Sequence, residues 1–132
     1  MNYSELLQIA NKVKANSYSP YSNFRVGAVL LSESGNLFTG VNVENSSYGL
    51  TNCAERTAVF KAISEGEKNF KTIVLASDAE DFITPCGACR QVLMEICGKD
   101  LEVVMSNIDN EIRILKLGEL LPLSFNKEYL EK

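Results

Sequence analysis

Leu6, Leu7, Ile9, Ala10 and Val13 recur at the spacing of one helix face, with Lys12 and Lys14 off that face. The pattern predicts an amphipathic helix over residues 4–16, with Ser4 as its expected N-cap. Residues 17–22 are rich in serine, tyrosine and proline and read as a loop. Residues 25–32 form a short apolar run, residues 33–36 a turn, and residues 37–43 a second apolar run, which together predict a hairpin. Residues 45–52 are polar loop. A helical pattern then covers residues 53–65 and stops at Gly66. Residues 72–77 are the kind of continuous apolar strand that is buried on both faces. After a loop over 78–85, a second helical pattern covers 86–97 and stops at Gly98. Residues 101–106 and 111–117 flank the polar turn 107–110 as two more strands. The tail 119–125 is apolar with a break at Pro122.

The element order is therefore α-β-β-α-β-α-β-β. Its simplest folding is one α/β domain spanning residues 1–132, a mixed sheet of about five strands with helices on both faces in three layers. The central β-α-β-α-β portion calls for some parallel pairing. No linker, repeat or low-complexity segment interrupts the chain.

Composition narrows the functions open to such a domain. The chain has 132 residues, 45% hydrophobic and 23% charged, which are values of a globular domain. Thirteen basic and seventeen acidic residues give a net charge of −4. That balance argues against a nucleic-acid partner, since such partners select a basic face. It suits a small-molecule ligand. No long apolar run and no basic, apolar leader is recognised, so no membrane association is expected and a cytoplasmic location is.

There is no histidine. A Ser-His-Asp triad, a Cys-His dyad, a histidine-ligated metal and a histidine general base are all excluded. The chemistry must lie with other groups. Four cysteines, Cys53, Cys86, Cys89 and Cys97, are too few for a disulfide framework.

Pro85-Cys86-Gly87-Ala88-Cys89 sets two thiols three residues apart at a predicted helix start, on one face. That pair serves a metal site and a redox site equally well. Cys53-Ala54-Glu55, at the other predicted helix start, favours the metal. Cys53 completes a three-thiolate set, which leaves the fourth position of a tetrahedral zinc open, as in catalytic rather than structural sites. Cys97 lies about 12 Å further along the same helix as Cys89 and cannot share the ion if that helix is continuous. Glu55 is then placed to exchange protons with an activated water. Three thiolates over-neutralise Zn²⁺, so compensation is needed. Two helix N-termini and Arg56 can supply it.

Cys-x-Glu followed by Pro-Cys-x-x-Cys is the known signature of zinc-dependent deaminases. Residues 53–58 (Cys-Ala-Glu-Arg-Thr-Ala) and 85–91 (Pro-Cys-Gly-Ala-Cys-Arg-Gln) closely resemble the two zinc signatures of the small, homotetrameric cytidine deaminases. The resemblance extends through Tyr21-Ser22-Asn23-Phe24-Arg25-Val26-Gly27-Ala28, Gly40-Val41-Asn42-Val43-Glu44-Asn45 and Glu119-Leu120-Leu121-Pro122, and reaches Phe125.

The resemblance implies a cytidine deaminase-like fold and hydrolytic deamination of cytidine and 2′-deoxycytidine in pyrimidine salvage. It implies one Zn²⁺ per chain on Cys53, Cys86 and Cys89, with Glu55 as proton shuttle and Arg56 offsetting the thiolate charge. Asn42 and Glu44 match a ribose-binding pair, and Phe24 an aromatic against the pyrimidine. The main chain at Ala54 is expected to orient the base. Tyr48 and Phe125 match residues near intersubunit sites of a homotetramer. Thr84, where serine is common, and Ser46-Ser47 ahead of Tyr48 are small departures. A deaminase of an aminoacyl-nucleoside antibiotic is the nearest competing reading. A non-enzymatic zinc or thiol-redox protein is another, but it leaves Cys53, Glu55 and Arg56 without work.

Overall fold

The computed structural model describes residues 2–124. Its elements are α1 (Tyr3–Lys14), β1 (Val26–Ser32), β2 (Leu37–Val41), α2 (Ala54–Ser64), β3 (Phe70–Ser77), α3 (Gly87–Cys97), β4 (Glu102–Ser106), β5 (Ile112–Lys116) and α4 (Leu117–Leu120). The expected order is present, with two additions. A 3-10 turn covers Tyr48–Leu50 in the polar loop, and the apolar tail opens with the one-turn α4.

One boundary differs for a clear reason. Asn2, not Ser4, caps α1: its side chain accepts from the Glu5 N–H at 2.8 Å. Ser4 is already inside the helix. Both residues can cap, and Asn2 places Tyr3 in the first turn, where its hydroxyl donates to Glu102 at 2.8 Å.

The five strands form one sheet in the order β2-β1-β3-β4-β5. β1 pairs antiparallel with both β2 and β3, β3 pairs parallel with β4, and β4 pairs antiparallel with β5. The expected parallel pairing is thus the β3-α3-β4 unit. Alternation along the strands divides the core. Ala28, Leu30, Ile73, Leu75, Val103 and Met105 face α2 and α3. Val29, Val74, Ala76 and Val104 face Leu6, Leu7 and Ala10 of α1 on the other side. The result is the three-layer arrangement expected from sequence.

Two glycines set how closely helices approach the sheet. A Cβ on Gly27 would lie 2.2 Å from the Ala10 carbonyl oxygen of α1, and one on Gly40 would lie 2.4 Å from the Ala54 carbonyl oxygen of α2. Only hydrogen fits at either contact. On α2, Ala54, Ala58 and Ala62 form the small-residue stripe that meets Gly40 and its surroundings.

The topology also puts two helix N-termini at one edge. β2 and β3 are both antiparallel to β1, so they run in the same direction. The connections leaving their C-terminal ends lead into α2 and α3, which pack on one face of the sheet. Ligand sites in α/β sheets gather outside the carboxyl ends of strands for this reason.

Candidate active site

Cys53 and Cys86 are the N-cap residues of α2 and α3, each with extended backbone, and Cys89 sits in the first turn of α3. The Sγ atoms of Cys53 and Cys86 lie 3.7 Å apart, and those of Cys86 and Cys89 3.4 Å apart. All three fall within 4.8 Å of one another. With zinc–sulfur bonds of 2.3 Å, the edge of a tetrahedral site is about 3.8 Å. The sulfur spacing therefore suits a zinc ion, and three soft donors suit its chemistry. Cys97 closes α3 at its far end, consistent with the spacing argument, and burial pushes its thiol up to about 12.

The surroundings offset the charge of such a set. First-turn N–H groups of a helix have no intrahelical acceptor, and here two helices begin at the sulfurs. The Arg56 guanidinium donates to the Cys53 Sγ at 3.6 Å and to the Thr51 carbonyl at 3.3 Å. Its buried Nε has no hydrogen-bond partner among the described residues. The neighbouring Cys89 thiol above all draws the Cys53 thiol down to about 5. Arg56 lowers it further. Cys89, beside the Cys53 sulfur and buried, is pushed upward.

Glu55 is 4% exposed. An isolated helix glutamate at such a position is ordinarily solvated, and this one is not. Burial pushes its carboxyl up to about 7, with the Cys53 charge adding to the effect. Ala54, fully buried, starts α2 between Cys53 and Glu55.

The other predicted residues approach from the β2 exit. Val43 and Asn52 exchange main-chain hydrogen bonds at 2.9 and 3.0 Å, which fastens the 42–44 segment to the residue before Cys53. Glu44 accepts from the Tyr21 and Ser22 N–H groups at 3.0 and 3.1 Å and from the Ser22 hydroxyl. These bonds hold its carboxyl below the usual range, the Ser22 hydroxyl contributing most. Glu44 and Tyr48 share a concavity of about 450 Å³ with Tyr21, Ser22, Asn45 and Thr51. Tyr48 itself is 81% exposed.

Asn42 is heavily engaged. Its Oδ1 accepts from the Val26 N–H at 2.9 Å and from the Ser17 hydroxyl, and its Nδ2 donates to the Phe24 carbonyl at 2.8 Å. Among the described residues its second amide hydrogen has no acceptor. Phe24 is partly buried against the α2–α3 face of the core. Phe125 lies outside the described residues. A second concavity, about 590 Å³ at the C-terminal end of α3, holds none of the predicted site residues.

Sequence reasoning assigned no role to Arg90. Its Nε donates to the Pro85 carbonyl at 2.8 Å and its Nη1 to the Leu120 carbonyl at 2.7 Å. Its place directly after Cys89 was visible, but its partners are main-chain carbonyls that only the fold reveals.

Residues 1–105 match the family model for the cytidine and deoxycytidylate deaminase zinc-binding region. The chain belongs to this deaminase family. A cytidine deaminase of Sporosarcina psychrophila is 45% identical over 130 residues, covering 98% of this chain and 96% of the relative. The crystal structure of cytidine deaminase from Burkholderia pseudomallei superposes with a TM-score of 0.92 at 45% identity, covering 95% of this chain and 100% of that one. The cytidine deaminase of Mycobacterium tuberculosis gives a TM-score of 0.83 at 38% identity, covering 95% and 98%. The fold is thus that of the zinc-binding deaminases.

Proposed function

We propose that this chain is a zinc-dependent enzyme that hydrolyses cytidine and 2′-deoxycytidine to uridine and 2′-deoxyuridine, releasing ammonia. The observation that carries the reading is a buried carboxyl, Glu55, two residues from one member of a three-sulfur cluster at paired helix N-termini. Cys53, Cys86 and Cys89 hold one zinc ion per chain. Bound there, zinc supplies Lewis-acid activation of water near neutral pH.

The rest is done by side chains. Glu55 accepts a proton from water and gives it to N3 as the water oxygen bonds to C4; it then takes the proton of the new C4 hydroxyl and passes it to the amine as the C4–N bond breaks, ending in its starting state. One water enters and one ammonia leaves. Burial of Glu55 keeps bulk water from competing for that proton. Arg56 stabilises the thiolates. Glu44 accepts from a ribose hydroxyl, and the remaining Asn42 amide hydrogen donates to the sugar. Phe24 packs against the pyrimidine, and the Ala54 main chain orients it.

Residues 1–132 act as one domain, and four copies assemble, with Tyr48 and Phe125 completing sites across subunits. The enzyme works in the cytoplasm, in pyrimidine salvage. No helix among the described residues is long and apolar enough to cross a membrane.

The test is ultraviolet absorbance of cytidine with zinc-loaded protein, with cytosine and cytidine monophosphate alongside. Uridine formation from the nucleoside alone supports the reading. No change with cytidine, at one zinc per chain, overturns it.

A further inference from the structure

The three cysteines are held in different ways. Cys89 is fully buried, so packing fixes it. Cys53 is half-buried and its sulfur receives Arg56. Cys86 is exposed. Among the described residues its sulfur meets the two other thiols and receives no cationic donor. The direction of its Cα–Cβ bond depends on the main chain.

That main chain is gripped by one residue. The Arg90 N–H donates to the Cys86 carbonyl at 2.9 Å, the opening hydrogen bond of α3. The Arg90 Nε donates to the Pro85 carbonyl at 2.8 Å. The carbonyls on both sides of Cys86 are thus bound by the same residue, and Pro85 is itself buried. A third bond, Nη1 to the Leu120 carbonyl at 2.7 Å, takes one of the orphan acceptors at the end of α4. A planar guanidinium can hold two carbonyls at fixed separation, which an ammonium cannot.

We propose that Arg90 is a positioning residue for the metal centre. Its fork fixes the Pro85–Cys86 peptide, and so aims the exposed Cys86 thiolate, and it ties that peptide to the end of α4. The inference deepens the zinc-enzyme reading and rests on it. It gives the last stretch of chain before Phe125 a physical connection to the sulfur cluster. Without the fork, Cys86 keeps only the opening main-chain bond of α3, the Pro85–Cys86 peptide is free to turn, and zinc is released faster while the two other sulfurs remain in place.

The experiment measures zinc release from the full chain to a chromophoric chelator such as pyridylazoresorcinol, without substrate. The proteins are wild type, Arg90→Gln, Arg90→Lys and Arg113→Gln. The last removes an arginine whose guanidinium lies 4.8 Å from the centre of the Phe82 ring, outside the site. Arg90→Gln is expected to release zinc roughly tenfold faster or more, the range seen when a group orienting a metal ligand is lost. Arg113→Gln should stay near wild type. Arg90→Lys can serve one carbonyl and should fall between.

The cobalt-substituted proteins give a second readout. A displaced Cys86 changes the thiolate-to-cobalt absorption, which a general loss of stability does not. Release and spectra equal to wild type in folded Arg90→Gln overturn the proposal. If Arg90→Gln does not fold, Arg90→Lys decides: faster release supports the proposal, and wild-type release overturns it. Failure here with intact uridine formation leaves the enzymatic reading standing. Absence of uridine formation in the wild type removes that reading instead.

Discussion

Glu55 and Arg56 are neighbours with opposite charges at one sulfur cluster, and burial makes their roles separable. Arg56 touches sulfur and the Thr51 carbonyl, whereas Glu55 owes its perturbed acidity mainly to desolvation. Glu55→Gln keeps the size of the side chain and removes only the transferable proton. The variant is expected to keep its zinc and its thermal midpoint and to lose about a thousandfold in turnover. Zinc analysis, thermal melting and the uridine assay check this; near-wild-type turnover at full zinc removes Glu55 from the proton-transfer role. The chemistry at this scale was legible because ligands and shuttle lie close in sequence, as Cys-x-Glu and Cys-x-x-Cys. Arg90 and the pinning of Asn42 were not. Their partners, the carbonyls of Pro85, Leu120 and Phe24 and the Val26 N–H, are main-chain groups that carry no mark in the sequence.

Elements bring those short motifs together, and the closest constraint is the crossing of α2 over β2. At Gly40 the added methyl of alanine would meet the Ala54 carbonyl at 2.4 Å and the Ala58 nitrogen at 2.5 Å. Both are helix backbone, so α2 must lift, and Cys53 at its cap moves with it. Gly40→Ala is expected to cost about 2 kcal/mol of stability, within the usual range for overpacking, and to weaken zinc retention. Urea unfolding and chelator competition measure the two effects. Full stability with unchanged zinc release would show that α2 can adjust without moving Cys53. The length of α3 makes a complementary prediction. Cys97→Ala should keep one zinc per chain, because Cys97 ends the helix whose first turn carries Cys89. Loss of the ion would place Cys97 among the ligands. Helices and strands were readable from periodicity and from Gly66 and Gly98, which follow the stops of α2 and α3. The cap at Asn2, the one-turn α4 and the glycine contacts were not, since each depends on what packs against it.

At the scale of the whole molecule, one carboxylate joins three parts of the fold. Asp78 directly follows β3, Arg25 directly precedes β1, and Lys14 ends α1. The Arg25 Nε and Nη2 donate to the two Asp78 oxygens at 3.0 and 3.1 Å, its N–H donates at 3.2 Å, and the Lys14 Nζ lies 3.2 Å away. Lys14 also donates to the Ser77 carbonyl at 3.3 Å. The grip fastens α1 and the 17–25 loop to the edge of the sheet where the connections to α2 and α3 leave. Arg25 above all holds the Asp78 carboxyl down at about 2, from an ordinary 3.8. A carboxyl lowered by folding stabilises the native state above its unfolded value, and that contribution disappears as pH falls through the folded one. The folded protein therefore gains from this grip at pH 5 and above, loses the gain between about pH 4 and pH 2, and has none below. Arg25 is 47% exposed, so solvent screening keeps the gain small. Asp78→Asn removes it. The stability difference between wild type and Asp78→Asn in urea should be constant from pH 7 to pH 5 and shrink toward zero as pH approaches 2. Acid loss of metal affects both proteins alike and cancels in that difference. A gap that stays constant down to pH 2 would mean that Asp78 is held by its neutral hydrogen bonds rather than by its charge.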